Sequence, residues 1–337
     1  MNPESSVSDL GERAVIRRIR ARVPPPPAWV AAGIGDDAAV IVPERNRSEV
    51  VTTDVLVEGV HFDRSYVPPE AIGSKALAVN LSDLAAMGAE PRVALLSLIL
   101  PGSLPVRDLD AIVAGLLKLA ERYGVALVGG NIARSPGPLV VDVTAIGSIK
   151  PRRVMLRRGA APGDGLYVSG AIGAARAGFL ALVAGAGDGD EGLAGCRERF
   201  LTPDPRVRLG LLLGRNAVAS ACVDLSDGLA DAVRQLTTAS GVGAIVSAED
   251  IPVPQAAARW FAEREGLDPV DAALRGGEDY ELLFTVPRRR RRALEAILRS
   301  ADGLPCTRIG TVTASRALLL RRAGADADLP AGFTHFR

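Results

Sequence analysis

The stretch Cys222-Val223-Asp224-Leu225-Ser226-Asp227-Gly228 sets two carboxylates three residues apart, at a strand-to-helix turn in otherwise apolar surroundings. The amino-terminal half repeats the theme in Gly33-Ile34-Gly35-Asp36-Asp37, in Thr52-Thr53-Asp54, and in a helix-like run from Ala76 to Met87 that carries Asn80 and Asp83. A carboxylate stranded among apolar side chains costs several kcal/mol unless it is protonated, paired or bound to metal. No lysine or arginine neighbours these carboxylates in sequence, so the chemistry they suggest is the holding of hard dications, Mg²⁺ first.

Each motif has a plainer reading. Gly-Asp-Asp is often a hairpin turn, and its two acids would repel a bare phosphate, so it suits phosphate only with cations between. Asn80 and Asp83 share a helix face, where the aspartate can also serve as a buried cap. Asp54 ends a strand, the place where ligands gather in α/β sheets, or is a turn residue. Ser226 or Asp227 can cap the following helix, which leaves Asp224 unexplained. Gly276-Gly277-Glu278-Asp279-Tyr280-Glu281 reads by itself as a solvated acidic loop. His61, seven residues beyond Asp54, is structural or contacts a substrate. The five arginines Arg288 to Arg292 directly precede Ala293-Leu294-Glu295-Ala296-Ile297-Leu298 and read as the exposed start of a helix rather than a nucleic-acid site.

These residues need elements to hold them. Apolar residues Leu10, Ala14, Val15 and Ile19 predict a helix over 8–22, stopped by Pro24 to Pro27. Strands are expected over 38–42 and 49–53, a long helix from Pro69 to Met87 stopped at Gly88, and a strand over 93–100. A helix over 106–123, a strand over 125–128 meeting Gly129-Gly130-Asn131, and a strand over 139–149 complete an α/β unit. Turn chemistry in Gly159-Ala160-Ala161-Pro162-Gly163-Asp164, just after Lys150-Pro151, sets a boundary between domains 1–150 and 151–337. The second unit is expected to hold strands at 165–168, 222–225, 243–247 and 281–286, helices at 174–184 and 229–239, and a surface loop over 185–192. The expected class is α/β of the α+β type, with mixed sheets flanked by helices.

The 337 residues suffice for two cores, and 48% are hydrophobic. Forty basic against 39 acidic residues give a net charge of +1, which argues against nucleic acid or an anionic membrane as partner. Lysine occurs only at positions 75, 118 and 150, which limits where a catalytic lysine could stand. Cys196, Cys222 and Cys306 are far apart and form no C-x-x-C, so neither zinc nor a disulfide framework is indicated. Glu4, Asp9 and Glu12 occupy the region where a secretory signal needs its apolar core, and no apolar run is long enough to span a bilayer. A cytoplasmic protein is expected. P-loop and dinucleotide fingerprints are missing or incomplete.

Taken in order, Gly33 to Asp37, Thr52 to Asp54 with Gly59-Val60-His61-Phe62, Lys75 to Gly88, Asp224 to Gly228 and Gly276 to Leu282 closely resemble the thiamine-monophosphate kinase family, over nearly the whole chain. That family is part of the aminoimidazole ribonucleotide synthetase superfamily. The resemblance implies two α/β domains, the first binding Mg-ATP and forming a homodimer through its sheet, the second completing the active-site cleft. The activity it implies is transfer of the γ-phosphoryl group of ATP to thiamine monophosphate. It implies that Asp37, Thr52, Thr53, Asp54, Asp83, Asn131, Asp224 and Asp227 hold several Mg²⁺ ions, with Asp54, Asp83 and Asp224 central to catalysis. Gly130, Asn131, Arg157 and Ser226 match nucleotide contacts, and His61, Glu278 and Phe333 match substrate contacts.

One departure stands out: the family usually has Gly-Gly-Asp where this chain has Gly129-Gly130-Asn131. Asparagine offers Mg²⁺ a neutral oxygen and no charge, so weaker holding of one ion is expected. Two anions must meet in such a reaction, and it needs alignment and charge neutralisation rather than a strong base. Two rivals remain at this point. One is another ATP-using enzyme of the superfamily, of the aminoimidazole ribonucleotide or selenophosphate synthetase type. The other is a non-catalytic protein that binds metal or nucleotide.

Overall fold

The structure, a computed structural model, describes residues 5–186, 191–300 and 303–332. The chain forms two compact units, the first of residues 1–84 and 90–151, the second of 85–89 and 152–337.

The first unit opens with helices α1 (Val7–Leu10) and α2 (Glu12–Arg20) in place of the single helix expected over 8–22. Gly11, at φ 73°, ends the first helix, and Ser6 and Asp9 close a capping box at its start. Two short antiparallel strands follow, β1 (Val30–Ala32) and β2 (Val40–Ile41). Then come β3 (Ser48–Val57), α3 (Pro69–Ala86), β4 (Glu90–Pro101), α4 (Val106–Tyr123), β5 (Ala126–Ser135) and β6 (Val140–Ile149). The last four strands make a mixed sheet in the order β3-β6-β4-β5, with β4 and β5 parallel and joined through α4. Helix α4 shows how pattern becomes packing: Leu109, Ile112, Val113, Leu116, Leu119 and Ala120 recur at helical spacing and are all buried. Gly124, left-handed at φ 66°, stops it.

The second unit holds β7 (Gly165–Ser169), α5 (Ala174–Val183), α6 (Glu191–Leu201), α7 (Val207–Arg215), β8 (Ala221–Asp224), α8 (Leu229–Ser240) and β9 (Gly243–Ser247). It continues with α9 (Gln255–Glu263), α10 (Pro269–Arg275), β10 (Leu282–Val286), α11 (Arg291–Ser300), β11 (Cys306–Thr313), β12 (Leu318–Arg322) and β13 (Ala325–Asp328). Its seven-stranded sheet runs β13-β12-β9-β11-β7-β10-β8, antiparallel except between β12 and β9. Strands β7, β8 and β10 are buried along their whole length, so their sequences are apolar runs without alternation. The arginine run forms a 3₁₀ turn, Arg288–Arg290, that leads into α11. Of the loop expected over 185–192, residues 187–190 lie outside the described residues, and Glu191 already opens α6. Among the described residues no helix is long and apolar enough to cross a membrane.

Candidate active site

In the first unit the period-two alternation of β3 decides which candidates act together. Thr52 and Asp54 point to its half-buried face, whereas Val51, Thr53 and Val55 point to its exposed face. Asp54 therefore does not end a strand. It lies within one, because the alternating pattern and the pairing with β6 continue to Val57. The Thr52 hydroxyl donates a short hydrogen bond to Oδ2 of the half-buried Asp83, which α3 presents. On the other face the Thr53 hydroxyl donates to Oδ1 of Asp142 at 3.1 Å and accepts from the Thr144 hydroxyl at 3.1 Å. Asp142 escaped the sequence reading, although its alternation within β6 and the Thr53–Thr144 register bring it there.

Asn80 is fully buried and donates from Nδ2 to the Ala76 carbonyl at 3.0 Å, a local helix contact. Asp36 and Asp37 are exposed, and the Asp37 N–H donates to Oδ1 of Asp36 at 3.0 Å. Nδ1 of His61 accepts from the Val57 N–H at 3.1 Å. That bond orients the ring and leaves Nε2 as the protonated nitrogen of the neutral imidazole. Gly130 and Asn131 are exposed and belong to β5, which runs on to Ser135. With β3 and β5 at opposite edges of the sheet, they stand three strand spacings, about 14 Å, from Thr52 and Asp54. Gly130 has φ 154°, and a Cβ on it would lie 1.8 Å from the Leu96 carbonyl oxygen, so only glycine fits.

In the second unit the candidates gather at the carboxyl end of β8. Asp224 is its last residue, 6% exposed. Burial, and next the Asp224 charge, push the Cys222 thiol above its ordinary range. Helix α8 takes Gly228 as its N-cap, so neither Ser226 nor Asp227 occupies the N-cap position. Ser226 instead donates a long 3.4 Å contact to Asp227, and both are half-buried. The Cys222 N–H bonds the Leu156 carbonyl at 2.9 Å, which lays the segment carrying the exposed Arg157 alongside β8.

The acidic loop after α10 is not solvated. Glu278 is half-buried, while Asp279 is 6% and Glu281 1% exposed. The Glu278 N–H donates to the Ser226 carbonyl at 2.7 Å, the Tyr280 N–H to the Leu225 carbonyl at 2.9 Å, and the Leu225 N–H to the Glu281 carbonyl at 2.8 Å. Phe333, the remaining candidate, lies outside the described residues. A cavity of about 420 Å³ lined by Arg152, Arg153, Arg289 and Arg290 sits by Ser220, at the other end of β8, and contains none of the candidates.

Among the described residues no three His, Cys, Asp or Glu side chains form a group able to hold a metal ion.

Two mixed sheets with candidate acids on β3, α3 and β8 define a class, and comparison with known families gives the same one. Residues 35–149 match the AIR synthase related protein, N-terminal domain, and residues 161–321 the corresponding C-terminal domain. Within that class the chain belongs to the thiamine-monophosphate kinase family. It is 37% identical over 345 residues to the thiamine-monophosphate kinase of Synechococcus elongatus, spanning 99% of this chain and 98% of the relative. A crystal structure of the enzyme from Stenotrophomonas maltophilia is 40% identical with a TM-score of 0.81, covering 94% of this chain and 98% of that one. A structure of AaThiL complexed with AMPPCP and TMP is 34% identical with a TM-score of 0.77, covering 98% and 99%.

Proposed function

We propose that this protein phosphorylates thiamine monophosphate to thiamine diphosphate at the expense of ATP. The observation that carries the reading is end-to-end likeness to a structure complexed with AMPPCP and TMP. In the first unit Thr52 and Asp54 share one face of β3 and Thr52 bonds Asp83. Asp37, Thr53 on the opposite face of β3, and Asn131 at the far edge of the sheet are further oxygen donors assigned by the family resemblance and not by proximity. In the second, Asp224 and Asp227 are the acidic donors. The family resemblance assigns Gly130, Asn131, Arg157 and Ser226 to the nucleotide, and His61, Glu278 and Phe333 to the acceptor.

A donor set of carboxylates, hydroxyls and one amide is hard and contains no thiolate, which fits Mg²⁺. When bound, Mg²⁺ supplies neutralisation of phosphate charge. The chain's own residues orient the two substrates for in-line transfer, and the acceptor, already an anion, needs no strong base. A covalent enzyme intermediate is not part of the reading, and the cysteines support this. Cys196 and Cys222 are buried, and burial holds the Cys306 thiol up at about 12. A selenophosphate-type reaction would call on a reactive thiol.

The same reading assigns a homodimer formed through the first unit's sheet, supported by Val51 and Val55, 62% and 45% exposed on the outer face of β3. The cytosol, which holds ATP, is the compartment assigned.

The test incubates the protein with ATP and MgCl₂, with thiamine or thiamine monophosphate as acceptor. Thiamine diphosphate is expected from thiamine monophosphate alone. ATP consumption without thiamine diphosphate, or no consumption at all, would sink the reading.

A further inference from the structure

Glu278 has φ 66° and Tyr280 φ 48°, so two non-glycine residues stand in the left-handed region within three positions. Backbone of this kind persists only where its surroundings over-determine it. The residues that alternate with them supply that force. Oδ2 of Asp279 accepts from the Gly173 N–H at 2.7 Å and Oδ1 from the Ala175 N–H at 3.2 Å, at the start of α5. Oε2 of Glu281 accepts from Arg206 Nε at 2.6 Å and from the Ser169 hydroxyl at 2.6 Å. Arg206 Nη2 makes a short bond to Oε1, and Arg199 Nη1 stands 3.5 Å from the same oxygen. Arg206 is 6% exposed, so the pair is buried. The space for this carboxylate exists only because position 170 is glycine, since a Cβ there would meet the Glu281 carboxylate at 2.0 Å.

A buried ion pair is a poor route to stability, because apolar residues of similar volume often serve as well or better. What this pair does instead is fix one backbone path. We propose that Glu281 and Arg206, together with Asp279, are positioning residues for the acceptor phosphate ester: they hold Glu278 in its left-handed conformation and in register with the Asp224–Asp227 turn. The proposal rests on the reading that Glu278 contacts the acceptor. None of the three touches the reacting atoms.

The experiment measures kcat, the two KM values and the melting temperature of the full-length protein with ATP, Mg²⁺ and thiamine monophosphate. Glu278→Gln tests the underlying reading, and an unchanged KM for thiamine monophosphate in that variant ends it. Glu281→Gln and the paired replacement Glu281→Leu with Arg206→Leu test the proposal. Both are expected to raise KM for thiamine monophosphate about tenfold and leave KM for ATP within about twofold. The paired replacement is expected to melt near the wild type, which separates positioning from stability. A paired variant with wild-type melting and wild-type KM for thiamine monophosphate overturns the proposal even where Glu278→Gln is impaired. Should neither Glu281 variant fold, Asp279→Asn, which keeps the side chain's shape, is read in the same way.

Discussion

Glu278 hangs from Ser226: its N–H donates to the Ser226 carbonyl at 2.7 Å, although 52 positions separate them (278 − 226). With the two bonds between Leu225 and residues 280 and 281, this lacing makes the Asp224–Asp227 turn and the Glu278 loop one piece of backbone. These bonds set the register between a turn assigned to phosphates and a loop assigned to the acceptor, which suits a reaction that depends on alignment.

Asp224 is the carboxylate on which turnover should depend most. It ends a fully buried strand, next to a thiol whose ionisation it opposes. Asp224→Asn keeps shape and removes charge, so kcat/KM is expected to fall about 100-fold or more while the melting temperature holds or rises. Steady-state assays and thermal melts of the same preparation check both halves. Near-normal turnover would remove Asp224 from its assigned role.

The Thr52–Asp83 bond makes a narrower claim. Thr52→Val keeps the β-branched shape on β3 and deletes the donor, leaving the half-buried Asp83 carboxylate less well held. Activity is expected to fall about tenfold with a higher Mg²⁺ requirement, and Thr52→Ser to restore most of it. A Mg²⁺ titration of the three proteins decides. Equal half-saturation in all three would mean that the bond has no part in metal holding.

Much of this arrangement was legible in the sequence, where local chemistry was unopposed. The helical spacing and Gly124 stop of α4 and the apolar runs of β4, β7 and β8 need only nearest-neighbour reasoning. The acidic loop misled because its neighbours in space are remote in sequence: Gly173, Ser169 and Arg206 lie 106, 112 and 75 positions from the carboxylates they satisfy. A sequence shows three acids by a turn and no cations, so solvation is the reasonable expectation, and long-range pairing overturns it. Local sequence puts Asp54 at a strand end for a similar reason. The strand's extension to Val57 depends on pairing with β6, not on local propensity.

Alkylation gives a chemical test of direct transfer. Cys196 and Cys222 are buried, burial and Asp224 hold the Cys222 thiol up, and burial holds Cys306 at about 12. Thiolate is the reactive form, so iodoacetamide at pH 8 is expected to leave the native protein active and to modify it only after unfolding. Rapid inactivation prevented by ATP would reopen a thiol mechanism.

Asp279 should leave its mark on the pH dependence of stability, with a sign opposite to that of most carboxylates. Burial raises its pKa from 3.8 to about 7, against the lowering effect of the Gly173 and Ala175 N–H groups; the Glu281 charge raises it further and Arg199 opposes that. Because the folded-state value lies above the unfolded one, the native protein binds the extra proton between these two pH values. Stability contributed by this group is therefore fully present below about pH 4, declines as pH rises toward 7, and is flat beyond. Asp279→Asn removes the titration and keeps one oxygen for the α5 amides. Thermal melts from pH 5 to 8 are expected to show the wild type losing stability relative to Asp279→Asn as pH rises, by on the order of a few kcal/mol in all. A difference that stays constant over that range, or that grows in favour of the wild type, would show that Asp279 is ionised throughout and held by its helix bonds alone.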